Sequence, residues 1–230
     1  MDFTVDGLVF DLDNTLFDFD RAFAGVARDF YEQHLRAATS VTCADAVAMM
    51  IRWDHELHAV TQYVPNLRER RFARWLSEWP DTGLDIAALT GWYDDAMDRQ
   101  MKPDPEVSSF LADLNDRQVP WGIVTNGPSG MQRHKCQALG LDQIAPFIIV
   151  SEEVGYAKPD PRIFHDALDA IGIGQPERVM FVGDNPRTDI DGARRAGMKT
   201  AWIRRGQQFP ANLHPPDHAV DSVLEVQRLL

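Results

Sequence analysis

Leu8-Val9-Phe10-Asp11-Leu12-Asp13-Asn14-Thr15-Leu16-Phe17 is the stretch that decides how the remaining residues are read. Leu8 to Phe10 is an apolar run that predicts a buried strand, and it feeds straight into two carboxylates at i and i+2. In an extended segment those positions project to the same side. Two acids held together raise each other's pKa unless a cation sits between them or one keeps its proton. Such a placement suits Asp11 as a nucleophile or metal ligand and Asp13 as its acid/base partner. The plainer reading is a strand end closed by polar residues, with Asp11-Leu12-Asp13-Asn14 as an ordinary turn. The other strand ends choose between the two.

Downstream of this stretch the pattern is helical as far as residue 101. Phe23, Val26, Ala27, Phe30 and Tyr31 recur at i, i+3, i+4, i+7 and i+8, one face of an amphipathic helix. A second helix is expected from about Ala44 to Val60, with Thr42 as its N-cap. A third opens on the pair Asn66 and Glu69 and buries Phe72, Trp75, Leu76 and Trp79. A fourth covers about Asp85 to Met101. After Pro103-Asp104-Pro105 the character changes, and strand and helix signals alternate. Strands are expected at Val119–Val124, Phe147–Val150, Val179–Val182 and Thr200–Ile203, with helices between them and a final helix from Val223 to Leu230. Alternating units of this kind imply a parallel sheet with helices on both faces. The fold class is therefore α/β, a parallel-sheet core with an inserted all-helical module. The expected domains are residues 1–17 plus 102–230 for the core and 18–101 for the cap. Open parallel sheets bind ligands at the carboxyl ends of their strands, so Asp11 lies where ligand is expected and the insert is placed to act as a lid.

Each later strand also ends in chemistry. The second runs into Thr125-Asn126-Gly127, whose hydroxyl, amide and backbone N–H groups suit the oxygens of a tetrahedral anion, although Asn-Gly is also a common turn pair. The third leads through Ser151-Glu152-Glu153 to Lys158, placed to neutralise a phosphoryl group or a carboxylate pair. The fourth ends in Gly183-Asp184-Asn185. Asp184 is a third carboxylate for a hard cation. Asp189 is either a further ligand or a first-turn acid favoured by the helix dipole.

The composition narrows the partners. A 230-residue chain with 44% hydrophobic and 25% charged residues belongs to a globular class, and its net charge of −12 argues against a nucleic-acid or anionic-membrane surface. No apolar run reaches the length of a membrane span. The acidic opening Met1–Asp6 lacks the basic and apolar regions of a secretory leader. Two cysteines, Cys43 and Cys136, make no disulfide framework. The expectation is a cytoplasmic protein, monomer or homodimer, and the negative charge does not exclude an anionic small substrate.

The strand-end set resembles the haloacid dehalogenase superfamily, with all four of its motifs in order: Asp11-Leu12-Asp13-Asn14-Thr15, Thr125-Asn126-Gly127, Lys158-Pro159, and Gly183-Asp184-Asn185 with Asp189. The resemblance spans the whole chain, because the helical insert matches the superfamily's cap. It implies a Rossmann-like core with a helical cap, and phosphoryl transfer through an aspartyl-phosphate. Asp11 would be the nucleophile and Asp13 the acid/base group. Thr125, with Asn126 and Gly127, would bind the phosphoryl oxygens, and Lys158 would hold Asp11 and the developing charge. Asp11, the Asp13 carbonyl, Asp184 and Asp189 would hold Mg²⁺. Dehalogenases of the superfamily lack an acid two residues after the nucleophile, so Asp13 favours a phosphatase over a haloacid dehalogenase. Asn14 stands where phosphoglycolate phosphatases and phosphoglucomutases usually carry Gly. Thr125-Asn126-Gly127 with Gln132, and Ser151-Glu152-Glu153-Val154-Gly155, look like the pyrimidine 5′-nucleotidase branch. The alternatives are a phosphoglycolate or sugar-phosphate phosphatase and a non-catalytic binding protein on the same fold.

Within the insert, Asp54 and His58 share an apolar stripe and read as a buried hydrogen-bonded pair or as pocket residues. His55 and His58 lack a third zinc ligand. Arg70 and Arg74 read as solvated, whereas Arg68 and Arg71 remain open as anion contacts. Trp53, Tyr63, Trp75, Trp79 and Trp92 are base-stacking candidates that at helical spacing more often form core. Phe17 and Phe19 are placed to line a leaving-group pocket.

Overall fold

A computed structural model describes residues 5–60 and 67–230, excluding the side chains of 58–60. The chain forms two compact units, residues 1–18 with 103–230 and residues 19–102. Strand β1 (Gly7–Phe10) opens the first unit. The second unit follows as four helices, α1 (Phe19–Phe30), α2 (Cys43–Val60), α3 (Leu67–Glu78) and α4 (Ile86–Gln100), with a turn of π-helix extending α1 through Leu35. Thr42 closes the start of α2 by accepting from the Asp45 N–H at 3.2 Å, and Asp85 does the same for α4 through Ala88 at 2.8 Å. Asn66 lies outside the described residues. The interior of this unit is aromatic: Phe23, Phe30, Trp53, Phe72, Trp75 and Trp79 are all buried.

The chain then runs α5 (Pro105–Asp116), β2 (Trp121–Thr125), α6 (Ser129–Ala138), β3 (Ile148–Val150), α7 (Ser151–Val154), α8 (Pro161–Ile171), β4 (Val179–Gly183), α9 (Gly192–Arg195), β5 (Lys199–Ile203) and β6 (His218–Val220). The six strands form one sheet in the order β3-β2-β1-β4-β5-β6, and all five pairings are parallel. Strands β1, β2 and β4 are buried along their whole length, as central strands covered on both faces must be. Alternate residues sort to opposite faces. Val9 and Phe181 pack with Ile163, Phe164 and Ala193 from α8 and α9. Phe10 meets Phe110 of α5 edge-on across the other face.

Two expectations needed correction. His218–Val220 forms an edge strand that the periodicity did not reveal, and the terminal helix is a 3₁₀ segment, Val223–Leu229. No helix among the described residues is long and apolar enough to cross a membrane.

Candidate active site

The sheet order places β1 between β2 and β4, and from β1 the chain winds first one way and then the other. Asp11 therefore follows the strand at the topological switch point. Register adds the neighbours: Phe10 pairs with Ile123 on one side and Val182 on the other, and the Asp11 N–H donates to the Val182 carbonyl at 2.9 Å. Thr125 and Asp184 are thus delivered to either side of Asp11 by the adjacent strands.

Beyond Asp11 the chain wraps around one carbonyl, that of Leu12, which accepts from the N–H groups of Thr15, Leu16 and Phe17. The turn needs a left-handed residue at Asn14, whose φ is 60°. Asparagine tolerates that region better than any non-glycine residue apart from aspartate. This is the physical reason that position 14 suits Asn.

Lys158 is almost completely buried. Its Nζ lies 2.5 Å from Asp11 Oδ1 and 2.8 Å from Asp189 Oδ1. Asn126 fixes the lysine from behind: its side-chain amide donates to the Lys158 carbonyl at 2.9 Å and its oxygen accepts from the Lys158 N–H at 2.8 Å. The Asn126 side-chain amide, expected at the phosphate, pairs with the Lys158 backbone through its oxygen and one N–H. The Gly127 N–H is likewise engaged, donating to Ser151 Oγ at 3.0 Å. Glu152 accepts from the Ser129 N–H at 2.8 Å and so caps α6. The Ser151-Glu152 pair thus braces the loop that carries Thr125.

Asp11, Asp184 and Asp189 each offer one carboxylate oxygen to a cluster in which all lie within 4.8 Å of one another. Asp189 is tied down further, accepting from the Asn185 N–H at 3.0 Å. Asp184 is oriented through its main chain, whose carbonyl accepts from Trp202 Nε1 at 2.8 Å. Burial pushes the Asp11 carboxyl above the ordinary range, with Lys158 pulling against it and Asp189 and Asp13 pushing the same way. Burial, then Asp189 and Asp11, raise Asp184 well above its usual value, against Lys158 and Arg205. Burial alone would lower Lys158, but Asp11 and Asp189 reverse that and hold it charged. Three acids around one ammonium leave excess negative charge in a desolvated pocket. Oxygen donors within this spread fit a hard divalent cation, for which opposite ligands stand about 4 Å apart.

Asp13 is drawn away from this cluster. Both its carboxylate oxygens lie 2.7 Å from Nζ of Lys135, a buried lysine on α6 that the sequence reading did not single out. Arg205 was missed as well; it donates to the Asn14 carbonyl and pairs with Asp18.

A family model of haloacid dehalogenase-like hydrolases matches residues 5–197. The chain belongs to this family. It is 31% identical to the pyrimidine 5′-nucleotidase YjjG of Escherichia coli over 226 residues, covering 98% of this chain and 97% of that one. It is 35% identical to a phosphoserine phosphatase of Thermus thermophilus over 174 residues, 74% of this chain and 68% of the relative. Among solved structures, a magnesium-bound hydrolase of the family from Bacillus subtilis, YfnB, superposes with a TM-score of 0.79 at 24% identity, covering 99% of both chains.

One glycine of this hydrolase ties fold to site. A Cβ on Gly183 would overlap Asp189 Oδ2 and lie 2.6 Å from its Cβ, closer than real atoms approach. Gly183→Ala must displace Asp189 and with it a partner of Lys158. We expect a loss of about 1–3 kcal/mol in stability and a larger proportional loss of hydrolytic turnover, read from denaturant melts and initial rates. Wild-type turnover in the alanine variant would show that Asp189 has no fixed place in the site.

In the helical unit, Arg71 is buried and donates to Asp54 at 2.7 Å and to the Tyr93 hydroxyl at 3.0 Å, with its guanidinium over the Phe23 ring. Arg71, left open as an anion contact, thus directs Nε and Nη1 at partners within the helical core. Arg68 pairs with Asp94. Phe19 stacks on Phe23, and Phe17 is buried. Tyr63 and the His58 side chain lie outside the described residues.

Proposed function

We propose that this hydrolase is a Mg²⁺-dependent phosphomonoesterase working through an aspartyl-phosphate on Asp11, with a nucleoside monophosphate or a similar small phosphorylated metabolite as substrate. The observation that carries the reading is the 2.5 Å pair of Lys158 Nζ with Asp11, set among three clustered carboxylates and followed two residues later by Asp13. A carboxylate that must attack a phosphate monoester needs a charge-offset pocket and an adjacent proton carrier. Both requirements are met by groups at neighbouring strand ends.

Asp11, Asp184 and the Asp13 carbonyl would hold the Mg²⁺, with Asp189 behind them. When bound, the ion offsets charge on both nucleophile and phosphoryl group. Lys158 holds Asp11 in place and faces the charge that develops on phosphorus. The Thr125 hydroxyl, 1% exposed, is held by Gln132 Nε2 at 3.0 Å and would hydrogen-bond a phosphoryl oxygen. Asp13 protonates the departing alcohol and then takes a proton from the attacking water. The presence of that acid supports phosphate over halide as leaving chemistry, and the relatives named for nucleotide and serine phosphates support the same class.

A second reading, a sugar- or triose-phosphate phosphatase, is favoured by 30% identity over 206 residues to a glyceraldehyde 3-phosphate phosphatase of Methanopyrus kandleri. The deciding experiment compares kcat/KM across nucleoside monophosphates, phosphoserine, phosphoglycolate and triose phosphates, with and without Mg²⁺. We expect metal-dependent hydrolysis with a preference of about tenfold or more for nucleoside monophosphates, the scale that one or two pocket contacts supply. A flat profile would overturn the nucleotidase assignment. Hydrolysis indifferent to chelator would overturn the metal-dependent mechanism.

A further inference from the structure

We propose that Lys135, together with Gln132, is a positioning residue that fixes the Asp13 carboxyl for proton transfer; this rests on the phosphomonoesterase reading above. Lys135 lies on α6 and is only 4% exposed. Its Nζ stands 2.7 Å from both oxygens of Asp13, so it straddles the carboxylate rather than touching one corner. Gln132, three residues earlier and therefore on the same helix face, adds a 3.2 Å contact from Nε2 to Asp13 Oδ2. The same Nε2 reaches Thr125 Oγ1 at 3.0 Å and the Asn126 carbonyl at 2.6 Å. One helix face therefore ties the acid/base group to the loop that carries the expected phosphate contact.

The energetics point away from a purely architectural pair. A buried ammonium is costly unless a counter-charge meets it, and here the counter-charge is the acid two residues after Asp11. Here the lysine side chain is 6% exposed but the Asp13 side chain is 29% exposed. The expensive, rigid half is hidden and the open half faces the site. A carboxyl group on its own turns freely about its terminal torsion, where preferences are broad. Two donors on its two oxygens fix that plane, which matters because proton transfer needs the donor oxygen within about 2.6–3.2 Å of its target.

The chemistry served has two halves. First, an Asp11 oxygen bonds to phosphorus as the ester P–O bond breaks, and Asp13 gives its proton to the departing alkoxide. Then water bonds to phosphorus as the P–O bond to Asp11 breaks, and Asp13 takes the water's proton, restoring both side chains and releasing phosphate. Lys135 keeps its own protons in both halves. It acts only through Asp13.

Leaving-group dependence separates this role from simple bracing. p-Nitrophenolate departs without a proton, whereas an alkoxide does not. The test measures kcat/KM, which reports the first half-reaction, for p-nitrophenyl phosphate and an alkyl phosphate in wild type, Lys135→Met and Asp13→Asn, with melting temperatures recorded alongside. Lys135→Met is expected to cost about tenfold or more on the alkyl ester and about threefold or less on the aryl ester, within the 10²–10⁴ that a positioned carboxyl supplies. Asp13→Asn should show the same pattern more strongly. Equal losses on both esters, or no loss, overturn the proposal. If Lys135→Met does not fold, Lys135→Gln, which keeps a donor and drops the charge, carries the same comparison. A wild-type protein that hydrolyses neither ester removes the phosphomonoesterase reading and this inference with it, whereas an active wild type with equal losses removes this inference alone.

Discussion

Asp11→Asn is expected to lower phosphomonoester turnover by at least about 10⁴-fold, the scale of loss when a covalent nucleophile is removed, yet to melt no lower than wild type without metal. The first half follows from chemistry. An amide of nearly the same shape cannot form the acyl phosphate. The second half follows from charge. Asp11 shares its pocket with Asp184 and Asp189 against the single ammonium of Lys158, and burial already disfavours its ionised form. Neutralising it removes repulsion with two acids and leaves Lys158 its 2.8 Å partner Asp189. What is lost is one charge-assisted hydrogen bond, about 1.5–3 kcal/mol, and relief of desolvation and repulsion offsets it. Active sites commonly hold such destabilising arrangements. Added Mg²⁺ should raise the melting temperature of wild type through mass action and that of Asp11→Asn by less, because a charged ligand is gone. Rates with an aryl phosphate and melts with and without Mg²⁺ give all three readings. Surviving turnover would end the nucleophile assignment. A metal-free melt several degrees below wild type would end the charge account.

How much of this was legible in the sequence depends on the range of the interaction. The apolar runs at Leu8–Phe10, Val119–Val124 and Val179–Val182 declare themselves, because central parallel strands are largely apolar. Strand ends then place Asp11, Thr125, Lys158 and Asp184 near one another by topology alone. Edge strand β6 did not show, since three residues after a proline-rich stretch carry too little pattern. Lys135 was invisible for a different reason. A lysine on a helix reads as a solvated charge, and its partner lies 122 residues away. The spacing of Gln132 and Lys135 beside buried Cys136 was the available signal, because it puts a cation on a face that packs inward. That the Asn126 side-chain amide pairs with the Lys158 backbone shows only in the structure.

The helical unit allows a sharper separation of architecture from chemistry. Asp54 is 3% and Arg71 6% exposed, and they are bonded to each other, with Tyr93 and the Phe23 ring completing the guanidinium's surroundings. Asp54→Ala leaves a buried guanidinium without its counter-charge, and the expected cost is about 3–5 kcal/mol. Removing both charges tells a different story. Asp54→Leu with Arg71→Met puts apolar side chains where the ion pair stood, and such replacements are often neutral or stabilising by about 1–4 kcal/mol. The double variant should therefore be more stable than Asp54→Ala despite carrying one more substitution. Denaturant melts of the wild type, Asp54→Leu, Arg71→Met and the double variant give the coupling. If Arg71 is purely architectural, kcat/KM for the preferred phosphomonoester should stay within about twofold of wild type in the double variant, because a side chain that touches the substrate in neither ground nor transition state leaves both kinetic constants unchanged when it is replaced. A folded double variant with KM raised tenfold or more and kcat unchanged would instead return Arg71 to the substrate. The same measurement therefore decides whether the buried cation of this unit serves its fold or its ligand.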